Sequence, residues 1–313
     1  MAYQTGTVAS PTALKSVIET FCTTNGWTLS GSDYLYKGQS FVKLTATGTT
    51  KLQLNTANSS DGLTTPYAYA PYIYIETANW PVTYYIATFT NPDIVICVLH
   101  YATNLIQPII FGDIVKTHTS AYVGGNFIYA PRIVTGFESQ INSIFTATDT
   151  GITSVSTIRY TSGNTIPFSQ VSQSVSGVER NCAIHAEIDG NTWSTSGYVT
   201  TLNATNVRLA ESTTQSFFRS PNSWNNQAQL IPIKLVFVAL DSFVSYLGYM
   251  EHIRFVRVDN YEIGDIITLG SDKWKVFPWS KKDSTYRNGP GNSLSGYPDS
   301  SGTLGFAVRY DGP

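Results

Sequence analysis

Four histidines, His100, His118, His185 and His252, are the side chains best suited to proton transfer or metal ligation near neutral pH. No two of them stand at the H-x-x-x-H or H-E-x-x-H spacing that sets zinc ligands on one helix face. The cysteines, Cys22, Cys97 and Cys182, contain no C-x-x-C pair, so neither a zinc ribbon nor a redox dithiol is expected. They are odd in number, far apart and flanked by apolar residues, which reads as three reduced thiols in a core. Neither a G-x-S-x-G elbow nor a G-x-x-x-x-G-K-[ST] loop occurs. Hydrolase and nucleotide-binding chemistry therefore lose their usual anchors.

Three further groupings have the right residue types. His185, Glu187 and Asp189 are two apart, so on a strand they share one face and could serve a calcium ion or acid–base work. A strand edge running into an Asp189-Gly190-Asn191 turn explains the same residues without chemistry. Asp259, Glu262 and Asp265 cluster near a turn, but glycoside hydrolysis needs two opposed carboxyls at a set separation. Arg254, Arg257, Lys273 and Lys275 form a small basic patch, expected to pair with Glu251, Asp259 and Asp272. Nucleic-acid binding would need several phosphate contacts, so no nucleic acid is expected as a partner. No catalytic residue, metal ligand or cofactor is assigned. The aromatic run Tyr67, Tyr69, Tyr72, Tyr74, Trp80, Tyr84 and Tyr85 resembles a sugar-stacking or subunit surface. From it, together with a later indole, come the candidate interface residues Tyr72, Tyr74, Trp80, Tyr84 and Trp274.

These residues need elements to hold them. Ser10 can cap a helix that Pro11 opens and Gly26 closes, with Leu14, Val17, Ile18, Phe21 and Cys22 as its apolar stripe. Beyond it the pattern turns to alternation: 33–38, 40–45, 51–55 and 72–75 read as strands. Val82–Phe89 and Ile94–Leu99 flank Asn91-Pro92-Asp93 as a hairpin. Its second strand is apolar throughout, which predicts cover on both faces. In the apolar run 105–112, Pro108 predicts an edge or a bend. Cys182–Ile188, Gln229–Val238 with a Pro232 bend, His252–Val258 and Leu304–Tyr310 are further strands. Ile266–Leu269 and Lys273–Phe277 make a second hairpin. The predicted class is mainly β, with antiparallel, sandwich-like sheets and one short N-terminal amphipathic helix. Three regions are drawn: 1–135, helix plus β; 136–225, a Ser/Thr-rich excursion; and 226–313, a hairpin region that could be continuous with the first. Residues 287–303 read as a Gly/Ser/Pro-rich loop.

Charge is scarce. Of 313 residues only 13% are charged, with 19 Lys+Arg against 21 Asp+Glu, while 13% are aromatic. No Lys or Arg lies between Lys51 and Lys116. A stretch so poor in charge suits a core or a partner subunit better than water. No apolar run reaches a membrane span, so membrane insertion is not expected, and no secretory signal opens the chain. Synthesis in a cytoplasm fits the thiols.

The opening Tyr3-Gln4-Thr5-Gly6-Thr7-Val8-Ala9, the helix, Tyr36-Lys37-Gly38 and the aromatic Pro71-Tyr72-Ile73-Tyr74 together resemble structural proteins of tailed-bacteriophage virions. At the other end, Leu230-Ile231-Pro232-Ile233, His252–Val258, Ile263-Gly264-Asp265-Ile266-Ile267-Thr268-Leu269-Gly270 and Trp274-Lys275-Val276-Phe277 are similar in order to the close of tail or baseplate-associated proteins. The resemblance covers both ends and part of the middle, and nothing in 136–225. It implies a non-enzymatic tail or baseplate component, made in the host cytoplasm and located in the virion. It also implies assembly as a homo-oligomer with other virion proteins, with a possible contact to the host surface. The aromatic segment 67–89 and the loop 287–303 are the expected contact regions. A receptor-binding or capsid-decoration protein recognising a host glycan is the alternative. A cell-wall hydrolase using Glu187 and Asp189 is the remote one.

Overall fold

The computed structural model describes residues 1–57, 59, 71–102, 105–117, 123–130, 182–188, 191–195, 208–210, 230–238, 244–258, 260–278, 282 and 304–312. In chain order the N-terminal elements are β1 (Ala2–Val8), α1 (Pro11–Thr24), β2 (Thr28–Leu29), β3 (Tyr34–Lys37), β4 (Ser40–Thr47), β5 (Lys51–Thr56) and β6 (Tyr72–Tyr74). Then come β7 (Val82–Phe89), β8 (Ile94–Tyr101), β9 (Leu105–Asp113), β10 (Val115–Lys116) and β11 (Gly124–Tyr129). They are followed by β12 (Cys182–Ile188), β13 (Asn191–Thr195), β14 (Arg208–Ala210) and β15 (Ile231–Val238). The chain closes with β16 (Val244–Arg257), β17 (Ile266–Leu269), β18 (Asp272–Pro278) and β19 (Leu304–Arg309). The protein is mainly β with antiparallel sheets, and α1 is the single α-helix among the described residues.

The strands form three sheets. A central sheet runs β1-β7-β8-β9-β11-β12-β13. A second runs β2-β3-β4-β5-β6, and a third runs β14-β15-β16-β19-β18-β17 with β10 added beside β16. Alternation explains the layering. On β8, Ile94, Ile96 and Val98 face the third sheet, where Ile233, Leu235, Met250, Ile253, Phe255 and Phe306 meet them. Val95, Cys97 and Leu99 face the opposite way, onto α1 and the second sheet through Leu14, Ile18, Leu44, Leu52 and Ile73. The central sheet is thus covered on both faces, which is why β8 is apolar at every position from Ile94 to Leu99. All three cysteines are buried free thiols, as their apolar flanks predict.

The hairpin β7–β8 forms in the expected register, with Phe89 opposite Ile94. Pro108 pairs with Val98 of β8, while β11 meets β9 only from Ile110 to Asp113. Among the described residues the proline therefore sits where β9 has one neighbour, with no ladder bond to lose on the other side. At Pro232 the register of β15 against β16 shifts, which is the bend its sequence suggests. Residues 182–195, within the segment read as an excursion, extend the central sheet through β12 and β13. In the other direction, β10 crosses from the N-terminal region into the third sheet, pairing Val115 with Tyr249.

Helix α1 forms where its signals place it. The Ser10 hydroxyl accepts from the Ala13 amide at 3.2 Å, and Pro11 opens the first turn. The end is closed by Asn25, whose amide donates to Cys22, and by Gly26 in the left-handed region at φ +86°. Trp27 follows as the first core residue after the helix, its ring edge-on to Phe111 at 5.5 Å.

Candidate functional site

The second sheet gathers the surface aromatics. Leu52 and Leu54 of β5 point inward with Ile73 of β6. Period two then turns Lys51, Gln53, Asn55, Tyr72 and Tyr74 outward together. β4 contributes Phe41, Lys43 and Thr45 to the same face by the same parity, since Val42 and Leu44 are buried. Polar and aromatic groups are tied across this face. The Lys51 ammonium sits 4.0 Å from the Tyr72 ring, and Tyr36 stacks on Phe41 at 6.0 Å. Gln53 donates to Asn55, and Asn55 donates to the Thr45 hydroxyl at 2.8 Å. β6 is the last strand of this sheet among the described residues. Its backbone is anchored from the central sheet by Gln107, whose Nε2 donates to the Tyr74 carbonyl at 2.9 Å.

Of the five candidate interface residues, Tyr72, Tyr74 and Trp80 are half-buried and lie in or just after β6. Trp80 has one side against the core, and its indole donates to the Ile75 carbonyl at 3.3 Å. The other two are inside the chain. Tyr84 is 5% exposed in the core beneath α1, because even-numbered positions of β7 face that layer. Trp274 is 6% exposed among Val256, Val258, Ile267 and Val276 on the far face of the third sheet, with the Arg254 guanidinium 5.0 Å over its ring. Alternation of apolar and polar residues does not say which of two faces meets a neighbouring layer, and that choice buried both rings. Tyr67, Tyr69 and the loop 287–303 lie outside the described residues.

The carboxylate groupings lie only partly among the described residues. His185 is 8% exposed on β12, Glu187 is on the same strand, and Asp189 lies outside the described residues. Asp265 shapes its own turn: its carboxylate accepts from the Glu262 amide at 2.8 Å, and its main chain bonds Val276. Asp259 is outside the described residues. Among those described, no three His, Cys, Asp or Glu side chains come together as a metal group. The basic patch also divides. Arg254 lies 3.9 Å from Glu251 and donates to the Met250 carbonyl, and burial lowers its pKa. Asp272 pairs with Arg309, outside the patch, at 3.0 Å.

Lys275 takes a different course. Its ammonium lies 4.5 Å from the Tyr310 ring, 5.2 Å from Tyr3 and 5.3 Å from Tyr85, and it donates to the Tyr3 hydroxyl at 3.3 Å. Tyr3 and Tyr310 meet edge-to-face at 5.0 Å. This box joins the first strand of the chain to its last residues. Burial lowers the lysine's pKa, and burial with the neighbouring phenols pushes Tyr3 up to about 12.

A second polar cluster, absent from the sequence motifs, lies between the central and second sheets. Ser40 shares the inward parity of Val42 and Leu44, and its hydroxyl donates to the Asp113 carboxylate at 2.5 Å. Asn126 stands opposite Asp113 on β11, 1% exposed, and donates to the Phe41 carbonyl at 3.0 Å. Asn126 Oδ1 has no partner among the described residues. Burial raises the Asp113 pKa, the Ser40 hydroxyl lowers it, the nearby Asp93 raises it and Lys116 lowers it. Asp93 is itself held by Lys37 at 2.8 Å. A serine at an inward strand position was the one sequence sign of this cluster.

No protein-family model matches the chain, and no curated protein matches its sequence. Among the described residues no helix is long and apolar enough to cross a membrane.

Proposed function

We propose that this protein is a non-enzymatic structural component of a tailed-phage virion, in the tail or baseplate, acting through protein–protein assembly. The observation that carries the reading is β6, the last strand of the second sheet among the described residues, where Tyr72 and Tyr74 share the outer face half-buried and a half-buried Trp80 follows, in a segment without Lys or Arg. Half-buried aromatics at a sheet edge are the side chains that anchor subunit contacts. The order of motifs at both chain ends adds to it. On this reading the protein functions in the virion, with other virion proteins and further copies of itself as partners.

The test is incorporation into particles. Trp80 also supports the core, so the decisive variant is Tyr72→Ala with Tyr74→Ala, which leaves Ile73 in place. It should stay soluble, keep the far-ultraviolet spectrum of the parent and fail to enter particles. Normal particles carrying that double variant refute the interface.

A second reading, a host-glycan-binding module, is favoured by one feature of the same face. Tyr72, Gln53, Asn55 and Thr45 place an aromatic ring beside amide and hydroxyl groups. Binding of the isolated chain to cell-surface glycans, abolished by Tyr72→Ala while particle assembly continues, would support that reading over the first.

A further inference from the structure

We propose that His252 is an acid-sensitive latch between the central and third sheets: a proton taken up by its imidazole loosens the third sheet from the central one. His252 lies on β16, 7% exposed. Its ring lies flat on Phe89 of β7, with centroids 4.3 Å apart and planes 10° from parallel. Phe89 belongs to the core between these two sheets, together with Met250, Ile253 and Phe255 from β16 itself. Among the described residues neither imidazole nitrogen makes a well-formed hydrogen bond, and the Asn91 main chain is the one backbone group that favours its proton. A neutral imidazole serves in such a place as an aromatic plate. An imidazolium needs water or an acceptor on both nitrogens, and the Asn91 main chain can answer only one of them.

The surrounding charges do not reverse this. Removal from water is the largest influence and lowers the pKa. On its own strand Glu251 favours the proton and Arg254 opposes it. From β19 Arg309 opposes it, and the main chain of Asn91, in the β7–β8 turn, favours it. Arg254 and Arg309 are engaged with Glu251 and Asp272, which weakens their influence in both directions. The balance pushes His252 down to about 4 from its ordinary 6.5.

The position makes the effect mechanical. β16 is the strand to which the N-terminal region crosses over, Lys116 of β10 pairing with Gly248. A β-carbon on Gly248 would lie 2.1 Å from the Val115 carbonyl oxygen, so β10 packs closely on the strand that carries His252. Withdrawal of His252 from Phe89 therefore works directly on the joint between the two sheets.

The opened state binds the proton at the ordinary pKa and the closed state only near 4. Closure is favoured in full above pH 6.5 and loses that part as pH falls toward 4, where the loss levels off. With those two values the opening constant rises by about 20-fold between pH 7 and pH 5. Amide hydrogen exchange in β15, β16 and β19, corrected for intrinsic exchange, reads that constant. The parent should show the rise, and His252→Phe, which keeps a ring on Phe89 without a titrating group, should lack it. The same rise in both proteins overturns the proposal. Should His252→Phe fail to fold, the proton resonances of His252 in the parent decide the matter. A midpoint well below 6.5 supports the latch, and one near 6.5 overturns it.

Discussion

The contact most exposed to a decisive test is Ser40 with Asp113. Ser40 is 1% exposed, and its hydroxyl lies 2.5 Å from a carboxylate that burial already disfavours. A hydrogen bond to a charged group contributes about 1.5–3 kcal/mol, and Ser40→Ala removes it while leaving the carboxylate in place. We expect a loss of about 2 kcal/mol at pH 7. Asp113→Asn should behave differently. It removes a charge that burial opposes, retains an acceptor for Ser40, and brings amide protons to the strand position opposite Asn126, whose Oδ1 lacks a partner among the described residues. That variant should lie within about 1 kcal/mol of the parent, on either side. Ser40→Ala made on top of it should cost about 1 kcal/mol, the value of a neutral bond, leaving a coupling near 1 kcal/mol. The pH dependence has a definite sign. The folded pKa of Asp113 is raised, so its contribution to stability is fully present below the ordinary carboxylate range and is lost as pH rises through the folded value. The Ser40→Ala penalty should therefore shrink as pH falls and the carboxylate is neutralised. Urea unfolding of the four proteins at pH 7 and pH 5 measures all of this. A Ser40→Ala cost below about 0.5 kcal/mol, or one equal in both backgrounds, would show that the pair is incidental to the joint between the sheets.

Two further outcomes follow from single positions. Gly112 has φ +134°, and a β-carbon there would meet the Asp93 carbonyl oxygen at 2.4 Å and Ile94 Cα at 2.5 Å, both backbone, so Gly112→Ala should cost at least about 3 kcal/mol in thermal or urea unfolding. A cost under about 1 kcal/mol would mean that the β7–β8 turn can move away from β9. Lys275→Met keeps an apolar stem among Tyr3, Tyr85 and Tyr310 but removes the cation, and should cost about 1 kcal/mol by urea unfolding; an unchanged midpoint would show that the box is held together by its tyrosines alone.

Much of the fold was legible because it rests on local chemistry. Ser10, Pro11 and Gly26 bound α1 through its own end groups, and Asn91-Pro92-Asp93 between two apolar runs makes a hairpin whatever surrounds it. The apolar identity of every residue from Ile94 to Leu99 announced two covered faces before either cover was known. The candidate interface was legible only in part. Tyr72 and Tyr84 are equally good strand aromatics, and no local pattern says that one lies on an outer face while the other faces α1. Sequence groups Lys275 with its basic neighbour Lys273, whereas folding places it among residues 3, 85 and 310. The amino-acid sequence by itself determined the elements, the mainly β class and the buried thiols, since propensity, capping and period act within a few residues of the chain. Only the tertiary structure decided which face of each strand meets another layer. That choice set Ser40 against Asp113 and His252 against Phe89, because burial and pairing depend on partners that are distant in sequence.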